Sequence, residues 1–349
     1  MKIRYLIAIV IGLLIFTEMF LRIFISKPST QQYDLELGYT NIPGSQMIES
    51  LEGYSHVTFN KLGFNDKDPD ENLKRKIFIM GDSYTEAFQV DYTLGYTAIM
   101  EKMLRQDDID VIKLARDSFL PLHYPIVFNR YYEQYKPELT LLQLGSHTPG
   151  GLYDENSSIK YDQKGEIESY TLKVSDNDKR KEAFRIILNN SALAYYLMRR
   201  YKYLIVQTMH RIDHLLSIGR KQKDKPEKTI GYKPTPTDED YVKRLTYILK
   251  QLKGNVVVVY FPDPAVVYNN DEHNNQARNI IKAATLNASF GFIDLTDTYK
   301  SDFKAHNKFL TGFSNSIRPN NGHLNAYGHA VVAKSLVDQL KSKGYLNLK

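Results

Sequence analysis

Short runs of apolar residues recur along the chain, and patterns typical of helices separate or follow them. The runs are KIFIM (76–80), DVIKL (110–114), LTLLQL (139–144), NVVVVYF (255–261) and FIDL (292–295). Unbroken apolar runs, rather than strict alternation, are typical of strands covered on both faces, as in parallel sheets. Apolar residues at helical spacing predict helices at about 92–106, 121–136, 238–253, 274–287 and 325–343. The sequence therefore predicts an α/β domain with three layers, α/β/α, around a mainly parallel five-stranded sheet.

The N-terminal segment is far more apolar than the rest of the chain. Lys2 and Arg4 precede the 13 uncharged residues Tyr5–Thr17, and Glu18 follows them. That length fits a signal-peptide core, and the run extended to Leu21 approaches the lower limit for a spanning helix. Because no clear A-x-A cleavage site follows, we expect residues 1–27 to be an uncleaved single-pass transmembrane anchor, with a cleaved signal as the alternative. Either interpretation places the main domain outside the cytoplasmic membrane.

Three further segments are distinguished by composition. Residues 28–75 are rich in turn residues and predict an extended lead-in, and residues 76–345 hold the α/β domain. A basic, helical insertion is expected at about 160–237, since Lys173–Lys233 contains 15 Lys/Arg against 6 Asp/Glu. This charge indicates either an acidic partner, such as anionic lipid or an acidic glycan, or a solvated helical surface. Its apolar positions predict packing on the main domain or contact with a membrane interface.

Several classes of chemistry are excluded or disfavoured by what the sequence lacks. The chain has no cysteine, which excludes disulfides, Cys-ligated zinc and thiol catalysis. Neither GxGxxG nor a P-loop follows the first strand, and His323 and His329 do not have the spacing of a metal motif. No zinc-finger or RNP-type pattern indicates nucleic-acid binding. We therefore expect no cofactor, no metal and no nucleic-acid partner.

Polar residues follow the first three strands directly. Ser83 follows the first strand within IFIMGDSYTEAF, Ser118 follows the second, and Gly145 and His147 follow the third. Because ligands gather at the carboxyl ends of strands in open α/β sheets, these loops are expected to converge. His323 precedes the last predicted helix, and a neutral imidazole is the usual base for activating a serine hydroxyl. The pattern predicts a Ser–His site at this edge of the sheet.

The segments IFIMGDSYTEAF and NGHLNAYGHAVVA together resemble the SGNH/GDSL hydrolase superfamily, in particular its membrane-anchored bacterial members. LGYTNIPGS with NKLGFND resembles the preamble of those members, so the resemblance spans about residues 36–342. It implies a flavodoxin-like fold and a location at the bacterial cytoplasmic membrane. It also implies that Ser83 is the nucleophile, that its N–H helps to form an oxyanion hole, and that His323 is the base.

The chain departs from the family pattern at three places. Ser118 stands where the family has an oxyanion-hole glycine, and His147, next to the Gly145 loop, stands nearest to the family's asparagine. Asn320 and Asn321 stand where the family has its acid. An asparagine oxygen can accept from the histidine ring, but it cannot stabilise imidazolium by charge. The departure predicts either a Ser–His dyad with a carbonyl orienter or a weakened site.

Three functions are therefore open at the level of sequence. The first is a serine ester hydrolase that acts on acyl esters, in particular those of an exported polysaccharide or another cell-envelope glycan. The second is an O-acyltransferase on the same substrates, which uses the same nucleophile and base but holds an acceptor in place of water. The third is a glycan-binding or assembly protein that has kept the fold without the activity.

Overall fold

The structure of the protein is a computed structural model, which describes residues 2–153, 157–173, 185–201, 237–268, 275–315 and 322–347. The chain forms two compact units. One comprises Met1–Ser29 and Ala183–Thr237, and the other comprises Thr30–Glu182 and Asp238–Lys349. The larger unit contains the predicted α/β domain.

Strands and helices alternate along much of the described chain. The strands are β1 Gln31–Asp34, β2 Gly38–Asn41, β3 Gln46–Glu49, β4 Ser55–Thr58, β5 Arg75–Gly81, β6 Ile109–Ala115, β7 Leu139–Gly145, β8 Ser157–Tyr161, β9 Ile167–Leu172, β10 Val256–Phe261 and β11 Gly291–Asp294. The helices are α1 Lys2–Phe24, α2 Ser83–Glu86, α3 Tyr96–Leu104, α4 His123–Tyr135, α5 185–190, α6 192–201, α7 Asp238–Leu249, α8 Pro264–Tyr268, α9 Gln276–Asn287, α10 Thr296–His306 and α11 Ala326–Ser342.

The central sheet has five strands in the order β11-β10-β7-β5-β6, and every neighbouring pair is parallel. Counted along the chain, this is the 2-1-3-4-5 order of flavodoxin-like folds. The predicted sheet and its three-layer architecture are confirmed. Strand β5 lies between β6 and β7, where the strand order reverses, and ligands bind at such a switch point. The residues that follow β5 therefore occupy the favoured position for a site.

Both faces of the sheet are covered by helices because alternate residues of each strand point to opposite faces. On β5, Phe78 and Met80 belong to one apolar cluster, and Ile77 and Ile79 belong to the other. The first cluster includes residues of α4, α7 and α9, and the second includes residues of α3, α10 and α11. Burial on both faces explains why these strands read as unbroken apolar runs.

Three hairpins lie outside the central sheet. Strands β1 and β2 pair antiparallel, as do β3 and β4, so the lead-in predicted to be extended contains two short hairpins. Strands β8 and β9 form a third hairpin, and the first part of the predicted helical insertion is therefore strand rather than helix. Helices α5 and α6 belong to the other unit, and residues 202–236 of the predicted insertion lie outside the described residues.

Helix α1 is long and apolar enough over Ile3–Phe24 to cross a membrane, and little of it is buried within the protein. A signal sequence near an N-terminus has the same length and composition. The structure thus contains the predicted apolar helix, in a form that suits either an anchor or a signal.

Candidate active site

Ser83 lies at the first position of a short helical turn directly after β5. Asp82 caps this turn, since its Oδ1 accepts the Tyr84 N–H at 2.9 Å. A side chain at Gly81 would overlap Thr85 and Gln143, so only glycine permits this close turn. As the first residue of the turn, Ser83 has an N–H without an acceptor in the turn. The sequence GDS thereby exposes both a hydroxyl and a free donor at the end of the strand.

His323 is held in place by the segment that follows it. Leu324 is buried in the core, and Asn325 caps α11 by accepting the Gly328 N–H at 2.9 Å. Gly328 lies against the carbonyl of Leu310, where any side chain would overlap that carbonyl. Leu324, Asn325 and Gly328 therefore fix the loop from which the imidazole of His323 projects.

The structure brings Ser83 and His323 together. The Ser83 hydroxyl lies 2.8 Å from Nε2 of His323, although the two residues are 240 positions apart in the sequence. This is hydrogen-bond distance, and it is the distance expected between a nucleophile and its general base. The ring of Tyr84 lies beside the imidazole, with the ring centres 5.2 Å apart.

The other ring nitrogen of His323 has an acidic partner that the sequence did not indicate. Oε2 of Glu52 lies 2.6 Å from Nδ1, and Oε1 accepts the backbone N–H of His323 at 3.0 Å. Two contacts with one residue fix the orientation of both the carboxylate and the ring. Gly322, at a φ of +120°, passes so close that a side chain there would overlap the Glu52 carboxylate.

The loop that carries Glu52 joins β3 to β4 and is anchored on both sides. The N–H of Gly53 donates to the side chain of Asn315 at 2.8 Å, and the amide of Asn315 donates back to the Gly53 carbonyl at 2.9 Å. The hydroxyl of Ser55 donates to the Phe88 carbonyl, which lies shortly after the helical turn of Ser83. The acid is therefore presented by a fixed hairpin rather than by the loop that contains the histidine.

The electrostatics of His323 follow from this contact. Burial disfavours the charged ring, but the hydrogen bond and the charge of Glu52 outweigh burial and raise the pKa of His323 above its ordinary value. A carboxylate in this position stabilises imidazolium and holds the proton on Nδ1, which leaves Nε2 free to accept the serine proton. The imidazole is therefore oriented to accept the proton of the serine hydroxyl, as a serine nucleophile requires.

Ser118 lies in the loop after β6, next to the turn of Ser83. The N–H of Arg116 donates to the Gly81 carbonyl at 3.3 Å, which holds the two loops side by side. Ser118 has a φ of +65°, in the left-handed region that favours glycine. The backbone at this position therefore has a conformation that glycine adopts most readily, although the residue is serine.

Glu86 connects the nucleophile turn to the Ser118 loop. Its Oε2 accepts the N–H of Asp117 at 2.6 Å, one residue before Ser118. Burial, together with the charge of Asp117, raises the pKa of Glu86 well above its ordinary value. Because this side chain belongs to the same turn as Ser83, it fixes the spacing between the nucleophile and the neighbouring loop.

The two remaining predicted oxyanion residues have other partners. The N–H of Gly145 donates to the Thr148 hydroxyl at 3.0 Å. Nε2 of His147 lies 2.6 Å from Oδ2 of Asp82, whose hydrogen bond raises the pKa of His147. The His147 ring stacks on Tyr84, with the ring centres 6.4 Å apart. Both residues lie at the expected edge of the sheet, and His147 supports the turn of Ser83 through its contacts with Asp82 and Tyr84.

Asn320 and Asn321, which the sequence offered in place of the acid, lie outside the described residues. His329 is buried one turn into α11, where its Nδ1 accepts the Tyr96 N–H at 3.3 Å and its ring stacks on Tyr96. Within the described residues, no group of His, Asp and Glu has the arrangement of a metal site. Among the described histidines, His323 is the one whose ring is hydrogen-bonded to Ser83.

No family model and no curated protein matches this chain. Among solved structures, TesA is similar with a TM-score of 0.42 and 10% identity, over 78% of this chain and 100% of TesA. Esterase EstA from Pseudoalteromonas sp. gives a TM-score of 0.39 at 10% identity, over 78% and 100% of the two chains. Axe2, an acetylxylan esterase from Geobacillus stearothermophilus, gives 0.38 at 12% identity, over 80% and 100%. At these identities, the similarities assign no activity to this chain.

Proposed function

We propose that the protein is a serine ester hydrolase of the SGNH/GDSL type, with Ser83 as nucleophile, His323 as general base and Glu52 as the acid that orients the base. The observation that carries the proposal is the series of two short contacts, 2.8 Å from Ser83 to His323 and 2.6 Å from His323 to Glu52. A hydroxyl, an imidazole and a carboxylate in this order form the arrangement that activates serine on several unrelated folds.

The first half of the reaction forms an acyl-enzyme. Nε2 of His323 takes the proton of Ser83 while Oγ attacks the ester carbonyl carbon, and the carbonyl oxygen becomes an oxyanion. Imidazolium then gives that proton to the leaving alcohol, and the C–O bond of the ester breaks. Glu52 remains ionised throughout and stabilises the imidazolium through Nδ1.

The second half regenerates the enzyme with water. His323 takes a proton from the water, whose oxygen attacks the acyl carbon, and the proton is then returned to Oγ of Ser83 as the acid is released. The N–H groups of Ser83 and Ser118 are the proposed donors to the oxyanion in both halves. In comparable sites, one such donor contributes about 3–4 kcal/mol to transition-state stabilisation.

The proposed substrates are acyl esters of an extracytoplasmic glycan, and the proposed location is the outer side of the cytoplasmic membrane, with α1 as the anchor. The apolar helix over Ile3–Phe24, preceded by basic residues, supports this location. The resemblance to anchored bacterial members of the superfamily supports the glycan. Release of acetate from an acetylated polysaccharide by the protein, but not by Ser83→Ala, is the expected result for this substrate class.

A fluorophosphonate probe tests the proposed nucleophile. We expect wild-type protein and Ser118→Ala to be labelled, because Ser118 contributes only its backbone N–H. We expect Ser83→Ala to remain unlabelled while keeping the circular dichroism spectrum of the wild type. No labelling of the folded wild type would contradict the proposal and favour a protein that only binds glycans. Labelling of Ser83→Ala would also contradict the proposal, because the reactive group would then be a residue other than Ser83.

A further inference from the structure

Helix α1 contains one acidic residue, Glu18, and its carboxylate binds the start of α6. Oε1 accepts the Ala192 N–H at 2.8 Å, and Oε2 accepts the Leu193 N–H at 2.9 Å. The Ser191 hydroxyl also donates to Oε2, at 3.0 Å. The first N–H groups of a helix lack acceptors within that helix, so Glu18 supplies acceptors that α6 needs. Arg22 completes the contact by donating to Oε1 at 2.7 Å.

This contact fixes where α5 and α6 join α1. Glu18 lies six residues before Phe24, where α1 ends, which corresponds to about 9 Å along a helix axis. The basic residues Lys2 and Arg4 mark the opposite, cytoplasmic end of the helix. Given the proposed anchoring by α1, on which this step rests, α5 and α6 join the anchor near the outer surface of the bilayer.

Large apolar side chains of α5 and α6 are exposed. Ile186 is 66% exposed, Ile187 is 53% exposed, Leu197 is 57% exposed and Tyr201 is 69% exposed. Leu197 and Tyr201 are four residues apart, so they share one stripe of α6. These four side chains are in the same unit as the exposed apolar helix α1. Large apolar side chains exposed on two successive helices are typical of an interaction surface.

The polar groups beside this surface suit a membrane interface. The guanidinium of Arg199 lies 5.6 Å from the ring centre of Tyr195, and that of Arg200 lies 5.7 Å from the ring centre of Tyr196. Tyrosine and long basic side chains are typical of the headgroup region, where the apolar part of each side chain is buried and the polar end stays hydrated. The sequence of Lys173–Lys233, with 15 basic and 6 acidic residues, favours anionic headgroups.

We infer that α5 and α6 form a second membrane contact, in which the apolar side chains of Ile186, Ile187, Leu197 and Tyr201 enter the outer leaflet and the arginines remain among anionic headgroups. Helix α1 holds the protein in the bilayer, and the Glu18 contact holds α5 and α6 against its surface. The partner of this surface is a lipid bilayer with anionic headgroups.

Site-specific fluorescence in vesicles tests the inference, and the absence of cysteine from the chain makes single labels straightforward. Full-length Leu197→Cys and Tyr201→Cys, labelled with an environment-sensitive fluorophore, are reconstituted in vesicles of equal parts phosphatidylcholine and phosphatidylglycerol. Ile11→Cys reports the anchor, and Leu286→Cys reports an exposed helix of the larger unit. We expect blue-shifted emission and quenching by brominated lipid at positions 197, 201 and 11, and neither effect at 286.

The outcomes separate this inference from the anchoring on which it rests. Quenching at 11 without quenching at 197 and 201 would overturn the second contact while leaving the anchor. A blue shift at 197 and 201 without lipid quenching would show protein cover instead, and would also overturn it. No quenching at 11 would refute the proposed anchor, and the second contact with it. Equal quenching at 197 in vesicles of phosphatidylcholine alone would refute the preference for anionic lipid.

A matched pair of variants tests the Glu18 contact itself in these vesicles. Glu18→Gln retains an acceptor oxygen, whereas Glu18→Leu leaves the first N–H groups of α6 without one. We expect the label at 197 to lose its lipid quenching in Glu18→Leu and to retain it in Glu18→Gln, with the label at 11 quenched in both. If the label at 197 keeps its lipid quenching in both variants, the role of Glu18 is contradicted.

Discussion

Replacing Glu52 by glutamine isolates the role proposed for the carboxylate. Glutamine is similar in size, and its oxygen can still accept the backbone N–H of His323. Its NH₂ group then faces Nδ1, which favours the tautomer with the proton on Nε2, and that tautomer cannot accept the serine proton. We therefore expect a folded protein whose turnover is much reduced.

The magnitude follows from the contact that is lost. A hydrogen bond to a charged group contributes about 1.5–3 kcal/mol, which corresponds to a roughly 10- to 150-fold fall in kcat. In a serine protease, where the corresponding Asp-to-Asn exchange also gives the wrong tautomer, kcat falls by about 10⁴-fold. Because the Glu52 side chain is 21% exposed, water screens part of its charge. We expect kcat to fall by roughly 10²- to 10⁴-fold.

Hydrolysis of p-nitrophenyl acetate across a pH series is the assay. The folded protein needs neutral His323, so kcat/KM rises as the pH passes through the pKa of that ring. Glu52 raises this pKa, and Glu52→Gln is therefore expected to move the acid limb to lower pH. Glu71→Gln removes a charge from an 84% exposed side chain of the same lead-in and is the matched control. A fall in kcat of less than about tenfold in Glu52→Gln, or an unmoved acid limb, would contradict the role proposed for the Glu52 carboxylate.

Three further changes have defined outcomes. Gly322→Ala is expected to displace the orienting carboxylate, and so to lower kcat and shift the acid limb of the pH profile as Glu52→Gln does. Gly344→Ala, at a φ of +69° with open space around the position, is expected to keep the wild-type profile. Glu86→Ala removes the acceptor that holds the 116–118 loop, so steady-state kinetics should give a kcat that is lowered by up to about 10²-fold. Glu86→Gln, which keeps an acceptor oxygen, should restore kcat, and equal losses in the two variants would contradict this role of Glu86. Burial lowers the pKa of His329 from 6.5 to about 3, so below pH 6.5 the unfolded chain takes up a proton that the folded chain does not. Urea titrations should then show that the free energy of unfolding decreases more steeply with falling pH in the wild type than in His329→Asn, by up to about 1.4 kcal/mol per pH unit. Parallel pH dependences in the two proteins would contradict the lowered pKa of His329.

The elements that the sequence predicts are those whose pattern is set by burial on the sheet. NVVVVYF has no polar interruption because both faces of β10 are buried, and the strand lies within one residue of its predicted bounds. Strands β1 to β4 have four residues each and mixed exposure, so no run of apolar residues marks them. Helix α10 is not predicted either, because its sequence TDTYKSDFKAH buries few side chains and carries no apolar stripe.

The candidate site divides in the same way. Ser83 and His323 can be recognised from local sequence, because Ser83 needs a tight turn that contains glycine and His323 needs a capped helix directly after it. Glu52 lies in a loop between two short strands, and its partner is 271 positions away. No local pattern distinguishes its carboxylate from others in the lead-in. The signal that could have directed attention there is the lack of an acid before His323, which requires the acid to come from another segment.

The dependence of Ser83 on Glu52 through His323 is tested most directly by the rate of fluorophosphonate labelling in a double-mutant cycle. The four proteins are the wild type, Glu52→Gln, His323→Ala and the double variant. If the carboxylate acts only by way of the imidazole, Glu52→Gln slows labelling of Ser83 in the wild type and causes no further slowing in His323→Ala. Slowing by the same factor in both backgrounds would contradict the account.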